Sequence, residues 1–370
     1  MDSGKVKVAM VTGSLRLGGA ERMMLNLANE LNKKAEVILV RLTEGDDLSD
    51  EVDQSVRTVS FGKRRTMAAF FRLRKFLKRE KPDALISTQI HVNLFCMLVK
   101  LMTGVQTKII LREATTPGVH FAANAGFKTT ITRKLMRWLY PKSSAVVVNS
   151  AATGRDMIEN GFALTGKVHL VYNPVLTDNF KKKIAEKGSH RFFGKAPVFI
   201  SVGRLAAAKN IRLLIQAFAN VIKKVDARLI IVGDGAERKN LEDLVARLKL
   251  ADKVDFTGQL INPFPLVSKA DVFVLPSDYE GSPGALVEAM ACGIQLVSTN
   301  SSGGAGEILM EGKLGALVPV NDEDALAAAM LGALEKKIPR EALAAGAGRF
   351  ESAAAAGAYL SLIYKICGRP

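Results

Sequence analysis

The sequence predicts an α/β protein built from two Rossmann-like, doubly wound domains. Three observations favour this fold class. Short runs rich in Val, Ile and Leu alternate with stretches of helical periodicity, which is the pattern of repeated βαβ units. The alternation restarts after a polar stretch at about residues 174–195. The chain has 370 residues, more than the ~250–300 at which a single hydrophobic core stops growing.

Strand-like runs are expected in both halves of the chain. Those of the first half are residues 6–12, 36–42, 84–87, 108–111, 145–149 and 168–172. Those of the second half are residues 198–202, 228–232, 254–256, 272–275, 295–298 and 316–319. We therefore predict a first domain over residues 1–175, a second over 176–350 and a C-terminal helix within 351–370.

That C-terminal helix carries an apolar stripe. The apolar residues that recur at helical spacing are Ala355, Tyr359, Leu362 and Ile366. Because an amphipathic helix buries such a stripe, we expect this one to pack against a domain.

The composition excludes several classes of protein. With 48% hydrophobic and 24% charged residues, the chain is neither disordered nor collagenous. Its three cysteines, Cys96, Cys292 and Cys367, lie far apart and fit neither a disulfide framework nor a zinc site. The first residues lack the layout of a signal peptide, and no apolar run reaches the ~18 residues of a membrane span. A cytoplasmic location is expected.

The charge predicts an anionic partner. The formal net charge is +16, and residues 1–180 carry 27 Lys and Arg against 16 Asp and Glu. An excess of this size attracts nucleic acid, acidic lipid headgroups or phosphorylated substrates. No nucleic-acid recognition module is visible, so specific nucleic-acid binding is not predicted.

Two strand-to-helix turns could bind phosphate. Gly18 and Gly19 lie between the first predicted strand and a helix, where backbone N–H groups can approach an anion. In the second half, Arg204 and Lys209 both follow a predicted strand and could converge on a diphosphate. The alternatives are an ordinary tight turn and two solvated surface cations.

Residues 276–289 carry the most specific motif. We predict that Ser282 caps a helix whose first residue is Pro283. The backbone N–H groups that would then be free to bind phosphate are those of Gly284, Ala285 and Leu286.

Two glutamates flank this predicted helix start. Glu280 precedes it and Glu288 lies about two turns into it, so both carboxylates can border one pocket. Carboxylates accept hydrogen bonds from sugar hydroxyls. The alternative is an exposed loop glutamate and a helix-surface glutamate.

Together these motifs resemble those of the retaining glycosyltransferases of family 4, which have the GT-B fold. The motifs are Gly18-Gly19-Ala20-Glu21-Arg22, Gly203-Arg204-Leu205 with Lys209-Asn210, Val232-Gly233-Asp234-Gly235, Phe256-Thr257-Gly258, and Glu280 with Glu288. The resemblance covers essentially the whole chain and is more specific in the second domain. It implies two Rossmann-like domains facing each other across a cleft, with the last helix crossing back to the first domain.

The resemblance also implies a role for each matching residue. Arg204 and Lys209 would hold the diphosphate of a nucleotide-sugar donor and stabilise its charge as it leaves. Glu288 would hold the ribose, and Glu280 would contact the transferred sugar. The remaining donor-binding positions are Gly18, Gly19, Leu260, Ile261, Asn262, Ser282, Pro283, Gly284, Ala285 and Leu286. With cationic side chains in these roles, no metal ion or other cofactor is expected.

The chain departs from the family at one position. Many relatives carry a histidine in the first domain where this sequence has Ala114. Glu113 is the candidate substitute and is counted among the candidate catalytic residues, and His120 is a more distant alternative. The other histidines, which have no motif support and are expected to be structural or exposed, are His91, His169 and His190.

Two basic stretches favour binding to an anionic membrane surface. One runs from Lys63 to Lys81, and the other, from Lys128 to Lys142, adds Trp138, a residue type that favours the headgroup level. In the first stretch, a helix over residues 66–79 would place these apolar residues on one side: Met67, Phe70, Leu73, Phe76 and Leu77. The alternative is that the apolar residues of both stretches pack on their own sheet.

The sequence therefore predicts a retaining glycosyltransferase held peripherally at the inner face of a membrane. It would move a hexose or N-acetylhexosamine from a nucleotide sugar, in this family most often a uridine one, to a lipid-linked or membrane-associated saccharide acceptor in glycan assembly. Two alternatives on the same fold stay open, a nucleotide-sugar 2-epimerase and a non-catalytic nucleotide-sugar-binding protein.

Overall fold

The computed structural model divides the chain into two compact units. It describes residues 5–16, 18–63, 66–124, 126–194, 196–301 and 304–369. The first unit comprises Met1–Thr177 and Phe350–Pro370, and the second comprises Asp178–Arg349. The boundary between the units falls between residues 177 and 178, two residues after the boundary between 175 and 176 that the sequence predicts.

In the first unit, the described strands form one parallel sheet with the order β3-β2-β1-β4-β5-β6-β7. The strands are β1 (Lys7–Thr12), β2 (Glu36–Thr43), β3 (Arg57–Lys63), β4 (Ala84–Thr88), β5 (Lys108–Glu113), β6 (Ala145–Val148) and β7 (Val168–Leu170). The helices are α1 (Gly19–Asn32), α2 (Phe70–Glu80), α3 (Ile90–Thr103), α4 (Pro117–Ala123), α5 (Phe127–Leu139) and α6 (Ala151–Glu159). The strand order reverses between β1 and β4, so ligands are expected at the carboxyl ends of these two strands.

In the second unit, the described strands form a parallel sheet with the order β10-β9-β8-β11-β12-β13. The strands are β8 (Val198–Val202), β9 (Arg228–Val232), β10 (Val254–Gly258), β11 (Val272–Leu275), β12 (Gln295–Thr299) and β13 (Ala316–Val318). The helices are α7 (Phe180–Ala185), α8 (Ile211–Val221), α9 (Arg238–Arg247), α10 (Phe264–Val267), α11 (Gly284–Ala291), α12 (Ala305–Ile308), α13 (Glu323–Glu335) and α14 (Arg340–Gly348). Here the order reverses between β8 and β11.

The last helix, α15 (Ser352–Cys367), belongs to the first unit. The chain re-enters the first unit at Phe350. The carbonyl of this residue accepts hydrogen bonds from the backbone N–H groups of Val175 and Leu176, at 3.0 Å each. Of the predicted stripe, Ala355, Tyr359 and Leu362 are buried and Ile366 is partly buried, in one apolar layer with α1, β1 and β2. The predicted burial of this helix on the first unit is confirmed.

The first basic stretch differs from its prediction. Strand β3 was not predicted, because it is an edge strand whose residues are mostly exposed and supply few apolar positions. Helix α2 begins at Phe70 rather than at residue 66, and Met67 lies exposed in the short 3₁₀ helix before it. The predicted stripe therefore starts later, with Phe70 partly buried and Leu73, Phe76 and Leu77 buried. Arg64 and Arg65 lie outside the described residues.

Candidate functional site

The two main motifs of the second unit meet where its strand order reverses. The loop after β8 carries Arg204 and Lys209, and the loop after β11 carries Glu280. The two loops are bonded directly: the Asp278 N–H donates to the Ala208 carbonyl at 3.0 Å, and the Asn210 side-chain amide donates to Asp278 at 2.6 Å. Residues about 70 positions apart in sequence thus form one site at the carboxyl ends of neighbouring strands.

At the centre of this site, Lys209 and Glu280 form an ion pair. The Lys209 Nζ contacts Glu280 Oε1, and the Ser277 hydroxyl donates to the same oxygen at 2.8 Å. The Lys209 side chain is 31% exposed and that of Glu280 is 12% exposed, so both charges are partly shielded from water. Each group therefore holds the other in place before any ligand arrives.

Arg204 provides the accessible cation of the site. Its side chain is exposed and makes no hydrogen bond or ion pair with any residue that the structure describes. A guanidinium in this state can engage an anionic ligand bidentately without first breaking an internal contact.

Glycines fix the loop that carries Arg204. A Cβ on Gly233, where φ is +143°, would lie 1.9 Å from the Gly203 carbonyl oxygen, and one on Gly235 would lie 2.4 Å from that of Leu205. The Leu205 N–H in turn donates to the Asp234 carbonyl at 2.9 Å. The Val232-Gly233-Asp234-Gly235 motif is thus a backbone support for the Arg204 loop, since larger residues would push the loops apart.

The start of α11 differs from its prediction. The helix begins at Gly284 with Pro283 as N-cap residue, and Ser282 makes no cap hydrogen bond. The Leu286 N–H, predicted to be free, donates to the Pro283 carbonyl at 3.2 Å. The helix starts one residue later than predicted, so Gly284 and Ala285 supply its first two N–H groups, which have no acceptor within the helix.

The remaining donor-binding candidates of the second unit lie on α11 and after β10. Glu288 is half-buried on α11. Leu260 and Ile261 follow β10, which lies two strands from β8, and Ile261 is fully exposed. The Asn262 amide donates to the Lys183 carbonyl and to Glu186, both at 2.8 Å, so this side chain fixes the loop to the segment around α7.

The first unit has its own polar cluster where its strand order reverses. Gln89, directly after β4, donates to Glu21 at 2.6 Å, and Glu21 lies in the first turn of α1 behind Gly18 and Gly19. Gln89 adopts a φ of +74°, a strained conformation for a residue with a side chain. A Cβ on Gly13 would lie 3.3 Å from Gln89 Oε1 and 3.5 Å from His91 Nε2.

Sequence reasoning missed Gln89 and gave His91 no role. The sequence places both residues shortly after the strand predicted at residues 84–87, but the strand order that makes this position important comes only from the structure. His91 is an exposed residue, but neighbouring atoms partly desolvate its ring, which lowers the pKa of the imidazole. The nearby Glu21 opposes this shift. Gln89 and His91 offer donors and acceptors at a ligand-binding edge.

Glu113 lies inside the first unit. Its side chain is buried, and it accepts hydrogen bonds from the Tyr140 hydroxyl at 3.0 Å and from Thr115 at 3.1 Å. The Asn93 amide donates to the Tyr140 hydroxyl at 3.1 Å, which extends the network to α3. This geometry gives Glu113 an internal role, and its contact with a substrate stays a prediction.

The other histidines occupy three different environments. His120 is exposed on α4, His169 is half-buried in β7, and the His190 ring is 3.0 Å from Asp255. The His190 contact ties the start of the second unit to β10, as expected for a structural histidine.

No cluster of three or more His, Cys, Asp or Glu side chains suited to a metal ion occurs among the described residues. The sequence does contain an Asp-x-Asp spacing at Asp322 and Asp324. Asp322 caps α13 by accepting from the Ala325 N–H at 2.8 Å, and Glu323 between them accepts from Asn220 at 2.8 Å. This spacing therefore belongs to a helix start.

Helix α5, in the second basic stretch, exposes apolar and basic side chains together. Phe127, Ile131 and Trp138 are 82%, 42% and 54% exposed. At 100° per residue these three positions fall within about 40° of one another around the helix. The exposed basic residues on the same helix are Lys128, Arg133, Lys134 and Arg137. Only part of this stretch packs on its sheet, since Leu139 and Tyr140 are buried.

No helix in the described part of the chain is both long enough and apolar enough to span a bilayer.

Two family models match the chain and together cover most of it. Residues 17–179 match the model described as Glycosyltransferase Family 4. Residues 182–349 match the model described as Glycosyl transferases group 1.

Curated relatives extend this similarity to most of the chain. An N-acetylgalactosamine-N,N'-diacetylbacillosaminyl-diphospho-undecaprenol 4-alpha-N-acetylgalactosaminyltransferase of Campylobacter jejuni is 29% identical over 86% of this chain and 88% of its own length. A GalNAc-alpha-(1->4)-GalNAc-alpha-(1->3)-diNAcBac-PP-undecaprenol alpha-1,4-N-acetyl-D-galactosaminyltransferase of the same organism is 30% identical over 87% of both chains.

Solved structures share the fold. HepE of Anabaena in complex with UDP superposes with a TM-score of 0.79 over 97% of this chain and 100% of its own, at 18% identity. A glycosyltransferase from Rickettsia africae superposes with a TM-score of 0.82 over 98% of this chain and 99% of its own, also at 18% identity. The predicted α/β fold class is confirmed.

The buried carboxyl of Glu113 predicts a pH-dependent stability. Burial raises its pKa from 4.5 to about 7, against the hydrogen bonds from Tyr140 and Thr115 that lower it. The folded protein thus holds a proton that the unfolded chain releases, so this group costs stability as the pH rises from 4.5 to about 7. As the pH rises from about 5 to about 8, we expect the free energy of unfolding to fall less for Glu113→Gln than for wild type. Urea unfolding at several pH values measures this difference.

The matched control for this experiment is Glu335→Gln, on the exposed surface of α13. It should keep the wild-type pH dependence. Equal pH dependence in wild type and Glu113→Gln would show that the buried carboxyl does not titrate in this range.

Proposed function

This chain belongs to the family 4 glycosyltransferases, whose fold is GT-B, and we propose that it is a retaining enzyme that moves a hexose or N-acetylhexosamine from a nucleotide sugar to a lipid-linked saccharide. The proposal for the donor site rests on one observation. Arg204, Lys209 and Glu280 lie on the two loops where the strand order of the second sheet reverses, and Lys209 pairs with Glu280. The names of the two Campylobacter relatives, which specify undecaprenol-linked acceptors, support the acceptor class.

The proposed mechanism follows from the charges at this site. As the bond from the anomeric carbon to the phosphate oxygen breaks, its electron pair leaves with the nucleotide diphosphate. In this proposal, Arg204, Lys209 and the first N–H groups of α11 would stabilise that growing negative charge. The acceptor hydroxyl bonds to the same face of the sugar, its proton passing to the departing phosphate. Glu280 is next to Lys209 and would contact the sugar, while Glu288 would hold the ribose.

We further propose a uridine donor and no need for a metal ion. The UDP bound to the structurally similar HepE supports the choice of nucleotide. Cationic side chains next to the diphosphate would stabilise its negative charge, as a divalent cation does in metal-dependent enzymes. In this proposal the roles of Leu260, Ile261 and Asn262 around the base rest on the family resemblance.

Donor binding can be tested by thermal shift with a panel of nucleoside diphosphates and nucleotide sugars, with and without EDTA. A ligand that binds only the folded state raises the melting temperature, so one uridine sugar should raise it, and EDTA should leave the shift unchanged. Lys209→Ala should abolish the shift and lower kcat/KM by about 10²–10³-fold, the usual cost of losing one charge-stabilising group. Glu288→Ala should weaken the shift and lower kcat/KM by about 10–10²-fold, because the ribose loses its hydrogen bonds to a charged carboxylate.

The matched controls for the donor test are Lys239→Ala on α9 and Glu335→Ala on α13, both exposed. These variants should keep the thermal shift and the turnover. Wild-type turnover in Lys209→Ala and Glu288→Ala would place the donor site elsewhere, and loss of the shift in EDTA would contradict metal independence.

On the first unit, we propose that Gln89 and His91 bind the acceptor saccharide. Both lie after β4 where the strand order reverses, and Gln89 is anchored by Glu21 in a strained conformation. An amide and a desolvated imidazole supply donors and acceptors suited to sugar hydroxyls. A requirement for such an acceptor also separates a transferase from a 2-epimerase, which needs none.

The acceptor proposal predicts a change in one kinetic constant. Gln89→Ala and His91→Ala should raise KM for the lipid-linked acceptor about tenfold, the effect of losing one or two hydrogen bonds. The affinity for the donor should change little, because the main contacts proposed for its diphosphate, ribose and sugar come from the second unit. His169→Ala is the control. An unchanged acceptor KM in both variants would remove these residues from the acceptor site.

We propose that α5 holds the protein peripherally on an anionic membrane. Its exposed stripe of Phe127, Ile131 and Trp138 can enter the headgroup region, while neighbouring lysines and arginines face acidic lipids. Each cation near such a surface adds about 1 kcal/mol. The exposed basic residues of α2, at the end of the stretch from Lys63 to Lys81, would add to this attraction.

Membrane binding is tested by sedimentation with vesicles of phosphatidylglycerol and phosphatidylcholine. The triple variant Phe127→Ser, Ile131→Ser, Trp138→Ser should bind the anionic vesicles at least ~10-fold more weakly, because its stripe no longer buries apolar surface.

The control for vesicle binding replaces three exposed leucines elsewhere by serine, at Leu164, Leu170 and Leu248. This control should bind as wild type does. Equal binding by the α5 variant and the control would assign the attraction to charge alone.

A further inference from the structure

A cavity of about 600 Å³ lies in the first unit, at the amino ends of β4 and β5. This end of the sheet is opposite the carboxyl ends of the strands, where ligands are expected. The cavity is bordered by the ends of α2, α3 and α15 and by the residues that lead into β4 and β5. Its apolar wall includes Leu77, Pro82 and Val105, and its charged wall includes Lys78, Lys81 and Lys108. We call it the lysine cavity. A volume of this size is typical of pockets for small organic molecules.

The three lysines of this cavity have no opposing carboxylate. None of them forms a hydrogen bond or an ion pair through its side chain with any residue in the described ranges. Asp83 is the acidic residue in the wall, and its carboxylate is already engaged by Arg369 at 2.7 Å and by the Lys7 N–H at 2.8 Å. The cavity is therefore a site of uncompensated positive charge.

Lysines outside the cavity wall add to its positive electrostatic potential. Lys100, on α3, has its pKa lowered first by burial and then by the positive charges of Lys108 and Lys167. The Lys167 ammonium donates to the carbonyls of Pro141 and Ser143, both at 2.8 Å, but neither acceptor carries a full negative charge. Lys100 and Lys167 therefore add to the positive potential next to the cavity without lining it.

The ends of three helices offset only part of the charge. The helices α2, α3 and α15 all end at the cavity, and each C-terminus carries about −0.5 of a charge. Together they contribute about −1.5, against +3 from Lys78, Lys81 and Lys108, while Asp83 and Arg369 cancel. About +1.5 remains, which is close in size to the charge of about −1.5 to −2 on one phosphate group at pH 7.

We propose that the lysine cavity binds a phosphate-bearing ligand, held by its three ammonium groups, with the less polar part of the ligand on the Leu77, Pro82 and Val105 wall. Lysine suits this role because its ammonium is a compact charge that adapts to a phosphate without a fixed geometry. This site is separate from the donor site of the second unit. Its ligand could be a soluble phosphorylated molecule or a phospholipid headgroup.

Cys367 provides a reporter inside the cavity. It is half-buried in the wall, whereas Cys96 and Cys292 are buried elsewhere. Its thiolate displaces iodide from iodoacetamide, and mass spectrometry measures the rate for this one residue. Burial raises the pKa of this thiol, so labelling is run at mildly alkaline pH.

The test measures Cys367 labelling with and without inorganic pyrophosphate, at an ionic strength matched with sodium chloride. Binding should slow labelling in proportion to occupancy, about tenfold at ten times Kd. The variant Lys78→Gln, Lys81→Asn, Lys108→Gln should lose this protection. Asparagine is used at residue 81 because φ there is +45°.

A control variant removes the same charge from the second unit, with glutamine at Lys224, Lys239 and Lys313, all exposed. It should keep full protection. The proposal is overturned if the cavity variant stays as well protected as wild type, or if wild-type Cys367 is protected neither by pyrophosphate nor by the anionic vesicles described next. Because the reporter lies in the first unit, neither result depends on transfer activity or on the donor site.

A second arm identifies the source of the phosphate. Vesicles containing phosphatidylglycerol are compared with phosphatidylcholine vesicles, with the same labelling of Cys367. Protection by the anionic vesicles, reversed in the cavity variant, supports a lipid headgroup as the ligand. Protection by pyrophosphate alone supports a soluble phosphorylated ligand. Protection by neither overturns the proposal.

Discussion

The candidate donor site depends on one steric constraint, the contact between backbone loops at the carboxyl ends of β8 and β9. Gly233 and Gly235 lie so close to the carbonyl oxygens of Gly203 and Leu205 that neither can carry a Cβ without moving the loop. This contact sets the direction in which the chain leaves β8, and hence the positions of Arg204 and Lys209. The charges of the site are useful only because the backbone beneath them is fixed, since preorganised groups need no rearrangement during reaction.

Ion pairing within the site has a functional consequence. Lys209 is held by Glu280, while the Arg204 side chain forms no hydrogen bond or ion pair with any described residue. A partly buried pair is costly to break by removing one partner, because the other charge is left uncompensated. In the proposed mechanism, an incoming diphosphate would therefore engage Arg204 first and then share Lys209 with Glu280. This would bring the anion next to the carboxylate that we propose to contact the sugar.

The two edges of the first sheet have different chemistry. The edge at the carboxyl ends of β1 and β4 carries uncharged and paired groups, Gln89, His91 and Glu21, suited to hydroxyls. The opposite edge carries, around a cavity, lysines that have no side-chain partner among the described residues. The large positive charge of the chain is thus not spread evenly. Part of it is concentrated where α2 and α3 end, and part lies beside exposed apolar residues on α5.

The sequence by itself determined the α/β class, most of the strands and the motif residues of the second unit, because buried parallel strands are continuous apolar runs and glycine-rich turns follow them. It missed β3, an edge strand with few apolar residues, and placed the start of α11 one residue early, because Ser282 is a favoured capping residue but does not cap. Only the tertiary structure decided that Lys209 pairs with Glu280, that Glu113 is buried, and that Gln89 and His91 lie at the reversal of strand order. These facts depend on which strands are neighbours, and neighbouring strands come from distant parts of the chain.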